Sequence, residues 1–189
     1  MKKNYVECLV KISEIQLDQE NPRFPPVDNQ REAIRVMLKD QGIKIVNLAS
    51  DIYRNGLNPS SKLILFKDGD RLIDGDGNRR VTALKILETP SLSDFEPKIR
   101  NKINAILKNK GTIPSEVDCV IFNSREDAKH WISINHSGPQ EGKGHISWNS
   151  EQKDRFEGNF TIGLQALDLL IHERLISPDD KSRINKTTL

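Results

Sequence analysis

The segment Gly77-Asn78-Arg79-Arg80 combines residue types that bind phosphate groups in proteins. Gly75 and Gly77 can take a positive φ and let a ligand approach the backbone closely. Arg79 and Arg80 carry planar guanidinium groups, which donate paired hydrogen bonds to phosphate oxygens. Each cation at a helix start opposes the helix dipole by about 0.3–1 kcal/mol, so two adjacent arginines indicate a bound anion. From the residues alone, the alternative is a tight Asp-Gly turn with two solvated arginines.

The elements around this segment predict how it is held. The apolar residues 63–66 predict a strand, residues 67–70 a turn, and residues 72–73 a second short strand. After the glycines, the helical spacing of three apolar residues predicts a helix: Val81, Leu84 and Leu87. Free backbone N–H groups and the positive end of the helix dipole then meet the two arginines, which favours a polyphosphate site.

Four aspartates surround this segment: Asp68, Asp70, Asp74 and Asp76. Carboxylates beside a phosphate site can hold Mg²⁺ for phosphoryl transfer or nuclease chemistry. Aspartate is also a common turn residue, and we favour that interpretation for Asp68 and Asp70. For Asp74 and Asp76 both interpretations stay open, and Asp76 is the stronger metal candidate because it adjoins the glycine loop.

Histidines and lysines offer weaker candidates. His130, His136 and His145 match no zinc-ligand spacing, and contact of a loop histidine with ligand phosphate is favoured over a metal site. A predicted basic helix could neutralise nucleic-acid phosphates, although a solvated face is the favoured interpretation. Its cations are Lys98, Arg100, Lys102, Lys108 and Lys110.

Composition bounds the class of protein. The chain has 189 residues, 35% of them hydrophobic and 30% charged, which suits one domain plus a small appendage. A net charge of +2 does not by itself indicate nucleic-acid binding. Cys8 and Cys119 lie in apolar surroundings, so we expect buried thiols in a reducing compartment rather than a disulfide. With no membrane-length apolar run and no signal-type core, we expect a cytoplasmic protein.

The pattern of elements predicts a mixed α+β fold, with a small sheet packed against helices. Strands concentrate before Phe122, and the chain is helical after Ser124. We expect a domain over residues 1–147 and a helical extension over residues 148–189. Residues 186–189 look like the start of a further helix, which indicates a truncated chain or a mobile tail.

Several local expectations accompany this fold. Asp28 or Asn29 is expected to cap a helix that stops near Gly42, and a second helix is expected to end at Gly56. Ser124 is expected to cap a helix whose apolar face includes Trp131 as a core residue. Ser150 is expected to cap a later helix, and Trp148 to anchor the extension. A last short segment is expected from residue 177.

Three segments together resemble the N-terminal domain of ParB-like proteins, a superfamily that includes sulfiredoxin and a free-serine kinase. They are residues 21–23 (Asn-Pro-Arg), residues 48–59, and residues 76–84 with the arginine box. ParB partition proteins carry Gly-Glu-Arg-Arg in this box, and the present chain has Asn78 at the acidic position. Residues 128–136 are similar to the helix that ends in the second nucleotide-contacting segment of the family. The resemblance covers about three-quarters of the chain.

The resemblance implies binding of a nucleoside triphosphate, CTP or ATP, with Mg²⁺, in a switch that acts with DNA and forms a homodimer. Whether the chain also hydrolyses the nucleotide is left open. By this resemblance the Gly77–Arg80 box would hold phosphates, with Arg23 as a further contact, and Asn135 would lie near both the phosphates and the metal. From the residues themselves, His136 is a further phosphate candidate because it follows Asn135 and abuts a glycine turn, and Asp76 is the candidate metal ligand.

Other functions stay open at this point. Asp74 or Asp76 could serve a metal-dependent nuclease, as the superfamily is often described. Glu20 could be the general base of a small-molecule kinase, by resemblance to the kinase relatives, although an exposed loop glutamate is the favoured interpretation. The sulfiredoxin catalytic cysteine is absent from the loop, which argues against that chemistry. A non-catalytic interaction module is the remaining alternative.

Overall fold

The computed structural model describes residues 4–177 of the chain. Two compact units make up the chain, and they divide between Ser137 and Gly138. An extension of the functional domain to residue 147 stays a prediction.

The first unit contains five strands and four α-helices. The strands are β1 (Tyr5–Lys11), β2 (Ile15–Leu17), β3 (Leu63–Asp68), β4 (Arg71–Asp76) and β5 (Glu116–Phe122). The helices are α1 (Gln30–Asn55), α2 (Asn78–Glu88), α3 (Pro97–Leu107) and α4 (Arg125–His136), with short 3₁₀ turns at Ile12–Glu14 and Pro90–Ser93.

The strands form one mixed sheet in the order β1-β5-β3-β4-β2. Within it β1 pairs antiparallel with β5, β3 antiparallel with β4, and the pairs β3–β5 and β2–β4 are parallel. The mixed α+β fold predicted from the sequence is therefore confirmed. Since β2 and β4 are parallel neighbours, their carboxyl ends lie at the same edge of the sheet, where α2 begins.

Helices cover both faces of this sheet. The main core includes buried side chains from α1 and α2, such as Met37, Leu38 and Leu84, and the strand residue Leu65. A smaller cluster joins α4 to the opposite face through Ala128 and the strand residues Ile64, Phe66, Ile73 and Phe122. The end of β4 is therefore enclosed by α2 on one face and by α4 on the other.

The expected break at Gly42 is wrong, because α1 continues without interruption to Asn55. A Cβ at Gly42 would lie 2.7 Å from Ile99 Cδ1 on α3. The glycine therefore permits close packing of two helices and does not end one. Its role depends on a residue 57 positions away, which local spacing could not reveal.

Two predicted core residues lie at the surface. Trp131 is 48% exposed and contacts the edge of the His130 ring, so its placement in the core is wrong. Cys8 is exposed on β1, which is an edge strand, whereas Cys119 opposite it on β5 is buried, and both are free thiols. Burial raises the pKa of the Cys119 thiol to about 12. The expectation of two buried cysteines holds only for Cys119.

The second unit contains α5 (Ser150–Glu157) and α6 (Ile162–His172). Asn149 is the N-cap of α5 and forms a capping box with Gln152, so the expected cap at Ser150 is one residue late. Trp148 stacks against Phe156 with ring centroids 4.9 Å apart. The segment expected after Ser177 and the expected tail at 186–189 lie outside the described residues. Among the helices of residues 4–177, none has the length and apolar character to cross a bilayer.

Candidate functional site

A β-bulge at Gly75 sets the direction of the two candidate aspartates. Leu65 pairs with Asp74 and Ile64 pairs with Asp76, so Gly75 is an extra residue in β4. Paired residues share a face, and therefore Asp74 faces α2 together with Leu65, whereas Asp76 faces α4 together with Ile64. The two carboxylates, two positions apart, point to opposite faces of the sheet.

Glycine is required at the bulge because α4 packs directly onto it. A Cβ at Gly75 would lie 2.7 Å from Ile132 Cδ1 and 3.3 Å from Phe66 Cδ1. A side chain here would push α4 away from β4. The glycine therefore brings the last turn of α4 close to Asp76.

Asp76 joins two residues from the last turn of α4. Asn135 Nδ2 donates to Asp76 Oδ2 at 2.7 Å, and His136 Nε2 lies 3.0 Å from Asp76 Oδ1. The Asp76 side chain is 16% exposed. Asn135 and His136 are 59 and 60 positions from Asp76 in sequence, and the structure brings these three predicted site residues into direct contact.

Asp74 is a buried carboxyl group without a hydrogen-bond partner. It is fully buried, and neither side-chain oxygen has a partner within the described part of the chain. Burial raises the pKa of Asp74 well above its usual value, and the charges of Asp76 and Asp18 add to this rise, whereas the Arg80 charge and the backbone N–H of Asp76 oppose it. Burial therefore disfavours the charged form of this carboxyl.

Gly77 lies directly over the Asp74 carboxyl at the start of α2. A Cβ at Gly77 would be 3.0 Å from Asp74 Oδ1 and 2.2 Å from Leu63 Cδ2. Its φ of 156° also favours glycine. The carboxyl group is therefore aimed at the turn that leads into the helix.

No side chain caps the N-terminus of α2. Arg80 and Val81 donate the first helical hydrogen bonds to Gly77 O. The N–H groups of Asn78 and Arg79 therefore precede the helical hydrogen-bond pattern and have no acceptor within the helix. Together with the helix dipole, these groups favour an anion at this position.

The two arginines of the box have different environments. Arg80 Nη1 donates to Ser61 O at 2.6 Å and to Ser61 Oγ at 2.9 Å, and Arg80 Nη2 donates to Asp76 O at 3.3 Å. Arg79 is exposed and makes no side-chain hydrogen bond or ion pair within residues 4–177. Arg80 thus fixes the segment before β3 against the start of α2, and Arg79 is the available cation.

The Asn78 side chain is a structural clamp. Its Oδ1 accepts from the Asp18 N–H at 3.0 Å, and its Nδ2 donates to Asp74 O at 2.7 Å. Both ends of the buried amide are occupied, and they tie the end of β2 to β4. The side chain is therefore not available to a phosphate, and the predicted phosphate contact of Asn78 would use its backbone N–H.

A second charged cluster, which the sequence did not indicate, contains Asp18, Glu20 and Arg125. Arg125 Nη1 donates to Asp18 Oδ2 at 2.8 Å, Arg125 Nη2 donates to Asp18 Oδ1, and Glu20 N donates to Asp18 Oδ1 at 3.0 Å. The Arg125 guanidinium also lies over the Phe66 ring, 4.7 Å from its centroid. The hydrogen bonds to Asp18 raise the pKa of Arg125. A separation of 107 residues left no local spacing from which to predict this pair.

Glu20 lies at a cleft of about 450 Å³ beside this cluster. Its carboxylate is mostly exposed and lies 3.3 Å from Arg125 Nη2. The cleft is also lined by Phe66 and Arg71. A catalytic role for Glu20 stays a prediction, and its one described side-chain contact is with Arg125.

The remaining candidates are not joined to the Gly77 site by any described contact. Arg23 is exposed, and its N–H donates to Asn21 Oδ1 at 3.1 Å in a local turn. Asp68 forms an ion pair with Arg71 at the β3–β4 hairpin, at the opposite end of β4 from Asp76. Asp70 lies in the hairpin turn. Within residues 4–177, no group of three or more His, Cys, Asp or Glu side chains is arranged to hold a metal ion.

Comparisons with known proteins found a distant structural similarity. No family model matches the chain, and no curated protein matches it. The chain is similar to the C-terminally truncated chromosome-partitioning protein ParB from Caulobacter crescentus, in a crystal structure of its complex with CTP-γ-S. The identity is 9%, the TM-score is 0.43, and the match covers 93% of this chain and 68% of that chain.

Proposed function

We propose that the protein binds a nucleoside triphosphate, CTP or ATP, with its phosphates at the N-terminus of α2. The observation that carries this proposal is the buried, unpartnered Asp74 carboxyl beneath the uncapped start of that helix. A buried polar group without a partner destabilises a protein by about 1–3 kcal/mol. A ligand that contacts it offsets this loss.

Three groups can bind phosphate oxygens here. The N–H groups of Asn78 and Arg79 lie at the positive end of the helix dipole, and the Arg79 guanidinium is exposed beside them. Arg80 contributes positive charge while it holds Ser61.

We propose that Mg²⁺ binds on the α4 side of this site. Mg²⁺ is commonly bound by one or two protein oxygen ligands together with phosphates and waters. Asp76 supplies a carboxylate, Asn135 supplies an amide oxygen, and His136 lies beside them. When bound, the ion would neutralise phosphate charge. The Asp76–Asn135 hydrogen bond holds the two ligands together.

The wider function we propose is that of a ParB-like nucleotide switch that acts with DNA as a homodimer. The exposed lysines of α3 and of the residues after it support a DNA contact, since several cations on one segment can neutralise phosphates. They are Lys98, Lys102, Lys108 and Lys110. Nucleotide hydrolysis is a separate property. Release of inorganic phosphate from a mixture of the protein, the nucleotide and Mg²⁺ would reveal it.

The nuclease alternative, which would use Asp74 or Asp76, is less well supported, because Asp74 is fully buried and the bulge at Gly75 directs Asp76 to the other face of the sheet. Asp74 and Asp76 face opposite sides of the sheet, so they do not form a shared metal site. Glu20 contacts Arg125, and no described contact connects it to a phosphate-binding group. We therefore propose no second function.

Calorimetric titration of CTP, ATP, GTP and UTP with Mg²⁺ tests the proposal. We expect one of CTP and ATP to bind, and Arg79→Ala to weaken binding roughly 10–100-fold, as for the loss of a charged hydrogen bond worth about 1.5–3 kcal/mol. Lys102→Ala on α3 is the matched control, because it removes one exposed positive charge elsewhere. The proposal fails if no nucleotide binds the wild type, or if Arg79→Ala and Lys102→Ala bind equally well.

A further inference from the structure

A second cleft, of about 640 Å³, lies beside the far end of α2. Lys85 from the last turn of α2 and Arg31 from the first turn of α1 both line it. Lys85 is seven positions after Asn78, which places it about 10 Å along the helix from the Gly77 site at about 1.5 Å per residue. The cleft is thus a separate feature of the first unit.

Lys85 is a partly buried cation without a counter-ion. Its Nζ donates to Ile12 O at 3.2 Å, and no carboxylate within residues 4–177 forms an ion pair with it. Burial lowers the pKa of Lys85, and the nearby charge of Glu88 opposes this only in part. An ammonium group in such surroundings is stabilised by a bound anion.

Arg31 provides a second unpaired cation. It is exposed, and no side-chain hydrogen bond or ion pair is formed by it within the described residues. Asp94 is the one carboxylate among the residues that line the cleft, and it lies 2.9 Å from Arg100 Nη1. Asp94 is therefore paired with Arg100, and within the described residues neither Lys85 nor Arg31 forms an ion pair.

The rest of the lining suits an organic anion. Gln30 is occupied by hydrogen bonds with the backbone of Leu17, at 2.7 and 2.9 Å. Ile15, Ile34 and Leu92 line the cleft, and Leu92 is the partly exposed one of the three. Two cations beside apolar side chains match a ligand that has a doubly charged head and a small organic body.

We propose that this cleft binds a small phosphate monoester, with Lys85 and Arg31 at the phosphate and the apolar side chains against its organic part. The site is independent of the nucleotide site proposed above. The N-terminus of α1 adds positive potential, since Arg31 lies in its first turn.

Phenyl phosphate is the probe for this site, in NMR titrations that follow backbone amide shifts of the full chain. We expect shifts at Gln30, Arg31, Ser91 and Leu92. Lys85→Met, which keeps the length of the side chain, is expected to weaken binding at least tenfold, and Arg31→Ala severalfold. Benzoate, with a single charge, is expected to bind at least tenfold more weakly than phenyl phosphate.

Arg79→Ala separates this proposal from the nucleotide site, because it should leave phenyl phosphate binding at the cleft unchanged. Arg31 is exposed, so its alanine variant tests the proposal even if Lys85→Met is poorly folded. Shifts confined to residues 77–81 would overturn the proposal. Unchanged affinity in Arg31→Ala, together with unchanged affinity in a folded Lys85→Met, would also overturn it.

Discussion

Asp18 and Asp74 are both buried aspartates at the carboxyl ends of neighbouring parallel strands, yet their surroundings differ. Asp18 accepts paired hydrogen bonds from Arg125 and a third from the Glu20 N–H. Asp74 has no side-chain partner within the described chain. Burial disfavours the charged form of Asp74.

This difference separates a structural role from a ligand-binding role. A satisfied carboxylate such as Asp18 joins elements, here the end of β2 and the start of α4. An unsatisfied carboxyl such as Asp74 reduces stability unless a ligand contacts it, and such groups are concentrated at functional sites. The contrast predicts opposite effects for substitutions in the two regions.

The largest effect is expected for Arg125→Met, which leaves Asp18 buried without its partner. Removal of one partner of a buried ion pair destabilises by about 3–5 kcal/mol, and we expect the lower end because Arg125 is 43% exposed. Urea unfolding at pH 7 measures this loss.

The control for this prediction is the double variant Asp18→Asn/Arg125→Met, which removes both charges. It should recover part of the lost stability, because no unpaired buried charge remains. A loss of less than about 1 kcal/mol in the single variant would match an exposed pair and would contradict a structural role for the contact.

Asp74→Asn is expected to stabilise the free protein, by about 1–3 kcal/mol at neutral pH. Its folded-state pKa is raised, so the folded protein binds more protons than the unfolded chain. Wild-type stability relative to this variant should therefore fall as the pH rises above about 4, the unfolded pKa of aspartate. Unfolding of both proteins between pH 4 and pH 8 measures the difference.

Asp118→Asn provides the comparison for this prediction, because Asp118 is an exposed aspartate on β5. It should leave the dependence of stability on pH as in the wild type. If the stability of Asp74→Asn depends on pH as the wild type does across this range, the Asp74 carboxyl has hydrogen-bond partners in solution. It then no longer indicates a ligand site.

The secondary-structure elements around Asp74 and Gly77 could be predicted from the sequence. The strand, turn, strand and helix around Gly77 follow from apolar spacing and glycine positions, and each of these elements is present. The α+β class followed in the same way from strands before Phe122 and helices after Ser124. Asp76 entered the prediction as a carboxylate beside the glycine loop, His136 as a loop histidine, and Asn135 through the family resemblance. Their role with a ligand stays a prediction.

Features that depend on distant residues could not be predicted. The Asp18–Arg125 pair joins positions 107 residues apart, and Gly42 stays helical because Ile99 packs against it. The bulge at Gly75 turns Asp76 toward α4 and leaves Asp74 toward α2, whereas a regular strand would place both on one face. A sequence pattern predicts that side chains alternate between the two faces of a strand. It does not predict the position at which a bulge interrupts this alternation.

The smallest effects on stability are expected for substitutions of Arg80 and Arg79. The two arginines are expected to have different roles. Arg80→Ala removes the hydrogen bonds to Ser61 and should destabilise by about 1–2 kcal/mol. Arg79→Ala should change stability by less than about 0.5 kcal/mol, as is usual for an exposed residue without partners. Thermal unfolding of the free proteins measures both values.

Ser61→Ala distinguishes the two contributions within Arg80, because it removes the hydroxyl acceptor and keeps the backbone carbonyl. We expect it to destabilise by about 0.5–1 kcal/mol, less than Arg80→Ala. Because Arg80 is held by protein groups and Arg79 is not, Arg79→Ala should reduce nucleotide affinity without a loss of stability. An Arg79→Ala variant as destabilised as Arg80→Ala would place Arg79 among the structural contacts and remove the exposed cation from the proposed phosphate site.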